Sequence, residues 1–580
     1  MKFNAVRLRT TFLAAAMVAQ AASAATVDQP SVILYGGGAT LPANAYVGDT
    51  WLDAVPSRRL SNTLPPPAGA PANANAAGKD SLFNRFALST VGSPGSTANQ
   101  KAGRVGVSYC QTGSGTGRAV IENNGKDGTG LCGDYSGTPA GFSSDARKAD
   151  FGASDAPTGQ SEINAFNTSA GTPAQKYENL YTQVVQMPAV AGSIAVIYNN
   201  PELGKVQLNL TRSDVCGIFS GAIQDWANID THTPKLKTAL TSKPIKVVVR
   251  SDSSGTSFSY TNFLSKVCPS LNLPGDTAVT GFKTKSTYSS GLPTGVSFPA
   301  SFASGSVASS GNGGVVNSVS SIDGAIGYAE VSDAATRAKR SGGSNLKFAT
   351  VSFAADQAKS TGVVNPAASF TCPAGTPNKA APGTALVFDN TAGTKPMKYT
   401  CPAAVYNKLD PAKNFLKKGD TAVAVTVKGD EVLAASPGDV DSNGRPVVSP
   451  ATGVSGYAFG PNGIDDGGTG DDIVKLAGCV LMVEPNAYAE PATAATKAAA
   501  ADYDRYPAIA VSYLLTYGTG NGTKTADLKS FLKAPFDATI LSKVKSIGKT
   551  TGFAPVAVSF GSGVPAGVTT MNGFVDACVR

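Results

Sequence analysis

Histidine is almost missing from this chain of 580 residues, in which His232 stands alone. A zinc site with two histidines is therefore excluded, and a Ser-His-Asp triad would have to use this one residue. It lies in Asp230-Thr-His-Thr-Pro234, a polar stretch ahead of a proline that reads as an exposed loop. Histidine-based catalysis is not expected. No Cys-x-x-Cys pair occurs, and no dense Lys/Arg block with interleaved aromatics appears, so neither a redox dithiol nor a nucleic-acid footprint is indicated. Beyond the first residues, no apolar run approaches the roughly 18 residues of a membrane span.

The N-terminus carries Lys2, Arg7 and Arg9, then Phe12-Leu-Ala-Ala-Ala-Met-Val-Ala19, then Ala22-Ser23-Ala24. That order is the basic, apolar and small-x-small pattern of a secretory signal, so residues 1–24 are expected to be removed on export. No cysteine follows the cleavage point, so no lipid anchor is expected. Cleavage leaves 45 of the 48 basic residues against 40 acidic ones, a mild excess that favours anionic partners only slightly. Eight cysteines, an even set in an exported chain, read as structural disulfides. Sequence order suggests Cys110 with Cys132, Cys216 with Cys268, Cys372 with Cys401, and Cys479 with Cys578.

Apolar strand-like runs recur and are followed by glycine and a helical pattern: Ser193–Tyr198, Ile245–Val249, Gly324–Tyr328 and Ala508–Leu515. Their alternation with segments such as Ser213–Trp226 and Ala526–Leu532 predicts an α/β protein with open sheets. In such folds ligands bind where strands end and helices begin. Four stretches have that character: Gly36-Gly-Gly-Ala-Thr-Leu-Pro42 after the run Ser31–Tyr35, Gly113-Ser-Gly-Thr-Gly117 before Arg118, Asp150-Phe-Gly-Ala-Ser-Asp155, and Arg250-Ser-Asp-Ser-Ser-Gly-Thr-Ser257. Each predicts a strand end, a small or hydroxyl-rich turn, and a helix start. Unpaired N–H groups and the positive helix end then aim at one point, which suits an oxyanion. Taken singly, each is equally an ordinary turn or N-cap, and Arg250 with Asp252 a structural ion pair. The second stretch lacks the third glycine and the acidic partner of a dinucleotide fingerprint.

In combination, GGGATLP, GSGTG, DFGASDAP, RSDSSGTSF and DGAIGYAE resemble the successive motifs of the phosphate-binding protein of bacterial phosphate ABC transporters, the PstS family with its secreted DING members. Met187-Pro, Gly217–Trp226 and Gly311-Asn-Gly-Gly-Val315 follow in the family's order. The resemblance implies a two-lobed periplasmic-binding-protein fold of type II with the ligand cleft between lobes. Residues 25–189 and 501–580 would form one lobe, with insertions 60–105 and 122–149, and residues 190–354 the other. Residues 355–500, rich in Ala, Gly, Pro, Thr and Asp, are expected as an inserted β-rich module, with Val423–Leu433 as a hairpin. The implied ligand is inorganic phosphate, held by Thr40, the amide of Leu41, Ser114, Asp155, Arg250, Ser254, Gly255 and Thr256, with Asp252 holding Arg250.

No cofactor or metal is implied. Asp439-Val-Asp-Ser-Asn-Gly444 opens like a calcium loop, but Pro450 stands where the bidentate glutamate belongs; an ordinary Asp/Gly turn is the better reading there and at Asp465–Asp472. A periplasmic or secreted monomer is expected, with a phosphate permease as partner and no nucleic acid or membrane contact. Two other readings stay open: a secreted DING-like protein with a structural or adhesive role, motivated by the long insertion, and a weak phosphohydrolase.

Overall fold

The structure is a computed structural model. It describes residues 32–48, 59–60, 80–90, 105–122, 149–158, 184–204, 206, 208–229, 239–268, 279–340, 345–352, 406–407, 409–410, 415–416, 447–450, 479–483, 508–547, 551–556, 558–560, 564–565 and 567–580. The signal sequence, His232, the Val423–Leu433 run, both Asp-rich loops and Cys132, Cys372 and Cys401 lie outside them.

The first lobe opens with β1 (Val32–Gly38), α1 (Ala43–Val47), β2 (Arg59–Leu60), α2 (Leu82–Ser89), β3 (Val105–Gln111), α3 (Ser114–Glu122) and β4 (Phe151–Ser154). The 16-residue β5 (Val184–Asn199) leads into β6 (Asn209–Thr211), α4 (Arg212–Phe219), β7 (Lys246–Arg250), α5 (Gly255–Val267), β8 (Val307–Ser309), α6 (Gly311–Ser321), β9 (Ala325–Glu330), α7 (Val331–Arg340), β10 (Lys347–Phe348) and β11 (Thr350–Ser352). Short strands β12 (Tyr406–Asn407), β13 (Leu409–Asp410), β14 (Phe415–Leu416), β15 (Val447–Pro450) and β16 (Leu481–Val483) follow. The chain ends with β17 (Ile509–Tyr517), α8 (Thr525–Lys533), α9 (Ala538–Leu541), β18 (Phe553–Pro555), β19 (Ser559–Phe560) and α10 (Met571–Cys578).

One hydrogen-bonded path runs β2-β3-β1-β4-β17-β5-β9-β7-β8. Strands β3, β1 and β4 are parallel to one another, as are β9, β7 and β8. Between the two groups β5 belongs to both: Val184–Ser193 pair with β17, and Ile194–Asn199 pair with β9. Every residue of β5 is buried, which matches its nearly unbroken apolar sequence, since a strand covered on both faces has no need to alternate. Pro188 cannot donate to a ladder. The register between β5 and β17 shifts at this point, with Ser512 opposite Val190 and Tyr513 opposite Pro188, so the bulge absorbs the missing donor.

Each lobe has an aromatic centre. In the first, Tyr46 of α1, Phe83 of α2, Tyr109, Phe151 and Phe531 of α8 pack with ring centroids 4.7–5.9 Å apart. In the second, Tyr260 stacks on Tyr328 at 4.5 Å beside Phe219 and Tyr288. Such rings bury large apolar areas and keep edge-to-face or offset contacts. Cys216–Cys268 fastens α4 to the end of α5, and Cys479–Cys578 fastens α10 to the strand region at β16. Both pairs were suggested by sequence order. Cys110 is also disulfide-bonded, to a cysteine outside the described residues.

Two features differ from simple expectation. The helix expected through Trp226 stops at Phe219, where Gly221 takes φ +77° and turns the chain; Asp225 then caps a separate short turn. The expected Gly113–Gly117 turn is largely the first turn of α3, with Gly115 and Gly117 inside the helix. Among the described strands of 355–500, β12 pairs with β11, β15 with β19 and β13 with β14, while Gln186 in β5 donates to the carbonyl of Leu481 at 2.8 Å. Among the described residues no helix is long and apolar enough to cross a membrane.

Candidate functional site

The cleft sits where the carboxyl ends of β1, β3 and β4 in one lobe face the carboxyl end of β7 in the other. β1 runs through all three glycines to Gly38, whose φ of +133° suits glycine alone. The turn is then pinned from both sides. Ala39 N donates to the Ala153 carbonyl at 2.8 Å, and the amides of Thr112 and Gly113 donate to the Gly38 carbonyl at 2.9 and 2.8 Å. A Cβ on Gly117 would lie 2.9 Å from the Gly38 Cα. Glycines in β1 and α3 therefore let the helix start close onto the strand end.

α3 and α5 both point their N-termini into this space. Ser114 is the first residue of α3; its hydroxyl accepts from Asp155 N at 3.1 Å and reaches Asp155 Oδ2 at 3.3 Å. Ser254 caps α5, accepting from Ser257 N at 3.1 Å, and its own hydrogen stays available. Gly255 begins that helix against the other lobe, where a Cβ would come within 2.6 Å of the Asp155 Cα. The lobes also meet where Gly115 N donates to the Ser253 carbonyl at 3.2 Å and where Asn312 Nδ2 donates to Thr40 Oγ1 at 3.3 Å.

Arg250 is buried at the end of β7. Its Nε donates to Asp252 Oδ1 at 2.8 Å, its Nη2 also bonds that carboxylate, and Nη1 donates to Thr256 Oγ1 at 3.3 Å. Burial alone would lower the guanidinium pKa, but the charge and hydrogen bonds of Asp252 outweigh it and raise it. For Asp252 burial pulls upward, and the Arg250 charge outweighs it to hold the carboxylate below its ordinary range. Asp252 Oδ1 also accepts from Gly311 N at 3.0 Å, tying the start of α6 to the pair.

Asp155 behaves differently. It is 1% exposed, and burial pushes its carboxyl up to about 7 against the hydrogen bond from Ser512, the Arg250 charge, the hydrogen bond from Ser114 and the Arg118 charge. Its Oδ1 is buried with no hydrogen-bond partner. An acceptor left unpaired away from water costs free energy until an O–H or N–H arrives.

Thr40, Ser114, Asp155, Arg250, Ser254, Gly255 and Thr256 thus converge on one cleft, with Asp252 behind Arg250. Leu41 joins them through its place in the turn, while its side chain is fully buried towards Gly192 of β5. Sequence reasoning missed four participants. Arg118 is 6% exposed and donates to Ser154 Oγ at 3.1 Å; lying four residues after Ser114, it shares that helix face, a signal that was available. Asn312 sits in a quoted motif without an assigned role. Ser512 and Tyr46 gave no local signal. Among the described residues no cluster of three or more His, Cys, Asp or Glu is placed to hold a metal ion.

The curated relatives include Alkaline phosphatase L of Pseudomonas aeruginosa, 30% identical over 222 residues, which is 38% of this chain and 48% of that protein. They also include the phosphate-binding protein PstS of Haemophilus influenzae, 38% identical over 122 residues, or 21% of this chain and 32% of its own. The chain thus spans half or less of the length of these relatives. Solved structures that match include a high affinity periplasmic phosphate-binding protein, PfluDING, bound with phosphate, at 18% identity and TM-score 0.43 with 90% of this chain and 91% of that one covered. Another is the phosphate-binding protein from Stenotrophomonas maltophilia, at 19% identity and TM-score 0.44 with 94% and 93% covered. Residues 68–416, more than half of the 580, match the family described as the PBP superfamily domain, and the chain belongs to that superfamily.

Proposed function

We propose that this chain captures inorganic phosphate between its lobes, as an exported receptor serving uptake through a membrane permease. The observation that carries the reading is Asp155: a buried carboxylate with one oxygen unpartnered, facing a cleft otherwise furnished with donors. Stripping water from phosphate requires many hydrogen bonds in return. The hydroxyls of Thr40, Ser254 and Thr256, the amides of Leu41 and Gly255 and the guanidinium of Arg250 offer them with little net charge, because Asp252 neutralises Arg250, while the Ser114 hydroxyl, donating to Asp155 Oδ2, orients the carboxylate. Phosphate near neutral pH keeps at least one proton, and Asp155 Oδ1 accepts it. Sulfate has none and would set two acceptors against each other. A site that hydrogen-bonds a missing group rejects the analogue by about 10⁴ in comparable cases.

Names among the relatives supply a second reading, since one is called an alkaline phosphatase. Here the Ser254 hydroxyl caps a helix and, among the described residues, has no histidine beside it, so binding is the better account of its position. The test is calorimetric titration of the phosphate-stripped mature protein with phosphate, alone, in excess sulfate and with Asp155→Asn, together with a hydrolysis assay on an aryl phosphate. Binding that survives sulfate and loses selectivity in the variant supports capture. Turnover abolished by Ser254→Ala supports hydrolysis, and no heat from the folded protein refutes the reading.

A further inference from the structure

Resting on the phosphate reading above, we infer that Ser512 and Tyr46, outside the anion's own donors, set the preference for a protonated oxyanion by fixing which way protons point at Asp155. They form a buried chain. Tyr46, on α1, is fully buried and places its Oη 3.3 Å from Ser512 Oγ. Burial raises its phenol far above the ordinary value, so it keeps its proton and donates. A serine hydroxyl has one hydrogen. With Tyr46 donating into its oxygen, the Ser512 hydrogen is left to turn towards Asp155, whose ionised form that hydroxyl favours.

The fold explains why Ser512 is there. Tyr513 pairs with Ser154 across β17 and β4, so the next register step sets Ser512 beside Asp155 just past the end of β4. The bulge opposite Pro188 falls between Ser512 and Tyr513, and bulges near sites commonly re-aim a side chain. Ser114 supplies the other hydroxyl, at Oδ2. Oδ2 thus has the Ser114 hydroxyl, and Oδ1, which has no hydrogen-bond partner, is left for an incoming O–H.

The charged and titratable groups facing Asp155 are Arg250 at the end of β7 and Arg118 on α3, which favour its ionised form, and Glu330 of β9, Tyr109 of β3 and Tyr46, which are coupled to it unfavourably. Among the hydrogen bonds that hold the carboxylate ionised, that of Ser512 ranks before that of Ser114. Without the Ser512 hydroxyl, Asp155 takes up a proton more readily and presents an O–H to the cleft. A donor at that point accepts sulfate and competes with the phosphate proton. The same change should occur in the wild type as pH falls through about 7, the value at which burial sets this carboxyl.

Competitive titration with phosphate and sulfate at pH 5.5, 6.5, 7.5 and 8.5 tests this on the mature protein, Ser512→Ala, Ser512→Thr and Tyr46→Phe. Ser512→Ala should lower phosphate-over-sulfate selectivity at pH 7.5 and move the selectivity profile to higher pH. Ser512→Thr should restore it, and Tyr46→Phe should move it the same way by a smaller factor. If Ser512→Ala does not fold, the profile of Tyr46→Phe decides. Selectivity profiles that coincide with wild type in the folded variants overturn the inference while leaving phosphate capture intact. Failure of the wild type to bind phosphate overturns both.

Discussion

Gly255→Ala separates closure of the cleft from stability of the lobes. An added Cβ would lie 2.6 Å from the Cα and carbonyl carbon of Asp155, where ordinary contact begins at 3.4 Å. Both neighbours are backbone, held by β4 on one side and α5 on the other, so the lobes must part by about 0.8 Å or more by that difference. Cross-lobe bonds now at 3.2 and 3.3 Å, Gly115 N to Ser253 O and Asn312 Nδ2 to Thr40 Oγ1, would stretch past useful length. The donors of α5 would withdraw equally from an anion held by β1 and α3. Losing two charge-assisted hydrogen bonds at about 2 kcal/mol each weakens phosphate by roughly 10³-fold. The same alanine stabilises the start of a helix by up to about 1 kcal/mol, so the ligand-free Tm should hold or rise while the phosphate-induced shift shrinks. Calorimetry and thermal melts with and without phosphate measure both. An affinity within threefold of wild type would refute the claim that closure brings these two backbones into contact.

Two further predictions address the frame. Glu330 is fully buried and caps α7, accepting from the amides of Ser332 and Asp333; burial raises its carboxyl well above the ordinary value, against those two hydrogen bonds. Its folded pKa exceeds its unfolded one, near 4.3, so the stability it contributes is complete below that value and declines as pH rises towards the folded pKa. Glu330→Gln should remove that slope, so that its stability deficit against wild type in denaturant titrations narrows from pH 4.5 to 7.5; parallel profiles would contradict the assignment. Cys479–Cys578 closes 99 residues, and replacing both cysteines by serine should cost about 2–5 kcal/mol in chemical denaturation while leaving phosphate affinity within a few fold.

The four strand-end turns were legible because each is local: strand, small residues, helix start, all within about a dozen neighbours in sequence. Arg250 and Asp252 could be read as a pair for the same reason, two residues apart at a strand end. What the sequence could not show was convergence. Thr40 meets Asn312 across 272 residues and Asn44 meets Ser332 across 288, and no periodicity carries such distances. Resemblance to a family supplied that step instead. Ser512 was invisible for a further reason: within β17 it reads as one polar residue in an apolar strand, and only the β4 register and the bulge turn it into a partner of Asp155.

The two carboxylates of the cleft show how environment divides one chemistry into two roles. Asp252 has its cation beside it, a guanidinium on two of its oxygens' bonds and the amide of Gly311, and so stays ionised and fixes the donor. Asp155 has only hydroxyls and more distant cations, and burial is the largest influence on it. Exchanging their partners would exchange their roles, because nothing in the side chains differs. A chain that placed an arginine directly on Asp155 would hold an acceptor too firmly satisfied to take a ligand's proton. The hydroxyl of Ser114 orients the carboxylate without neutralising it, and on the proposed reading this leaves Oδ1 to an oxyanion that brings its own hydrogen.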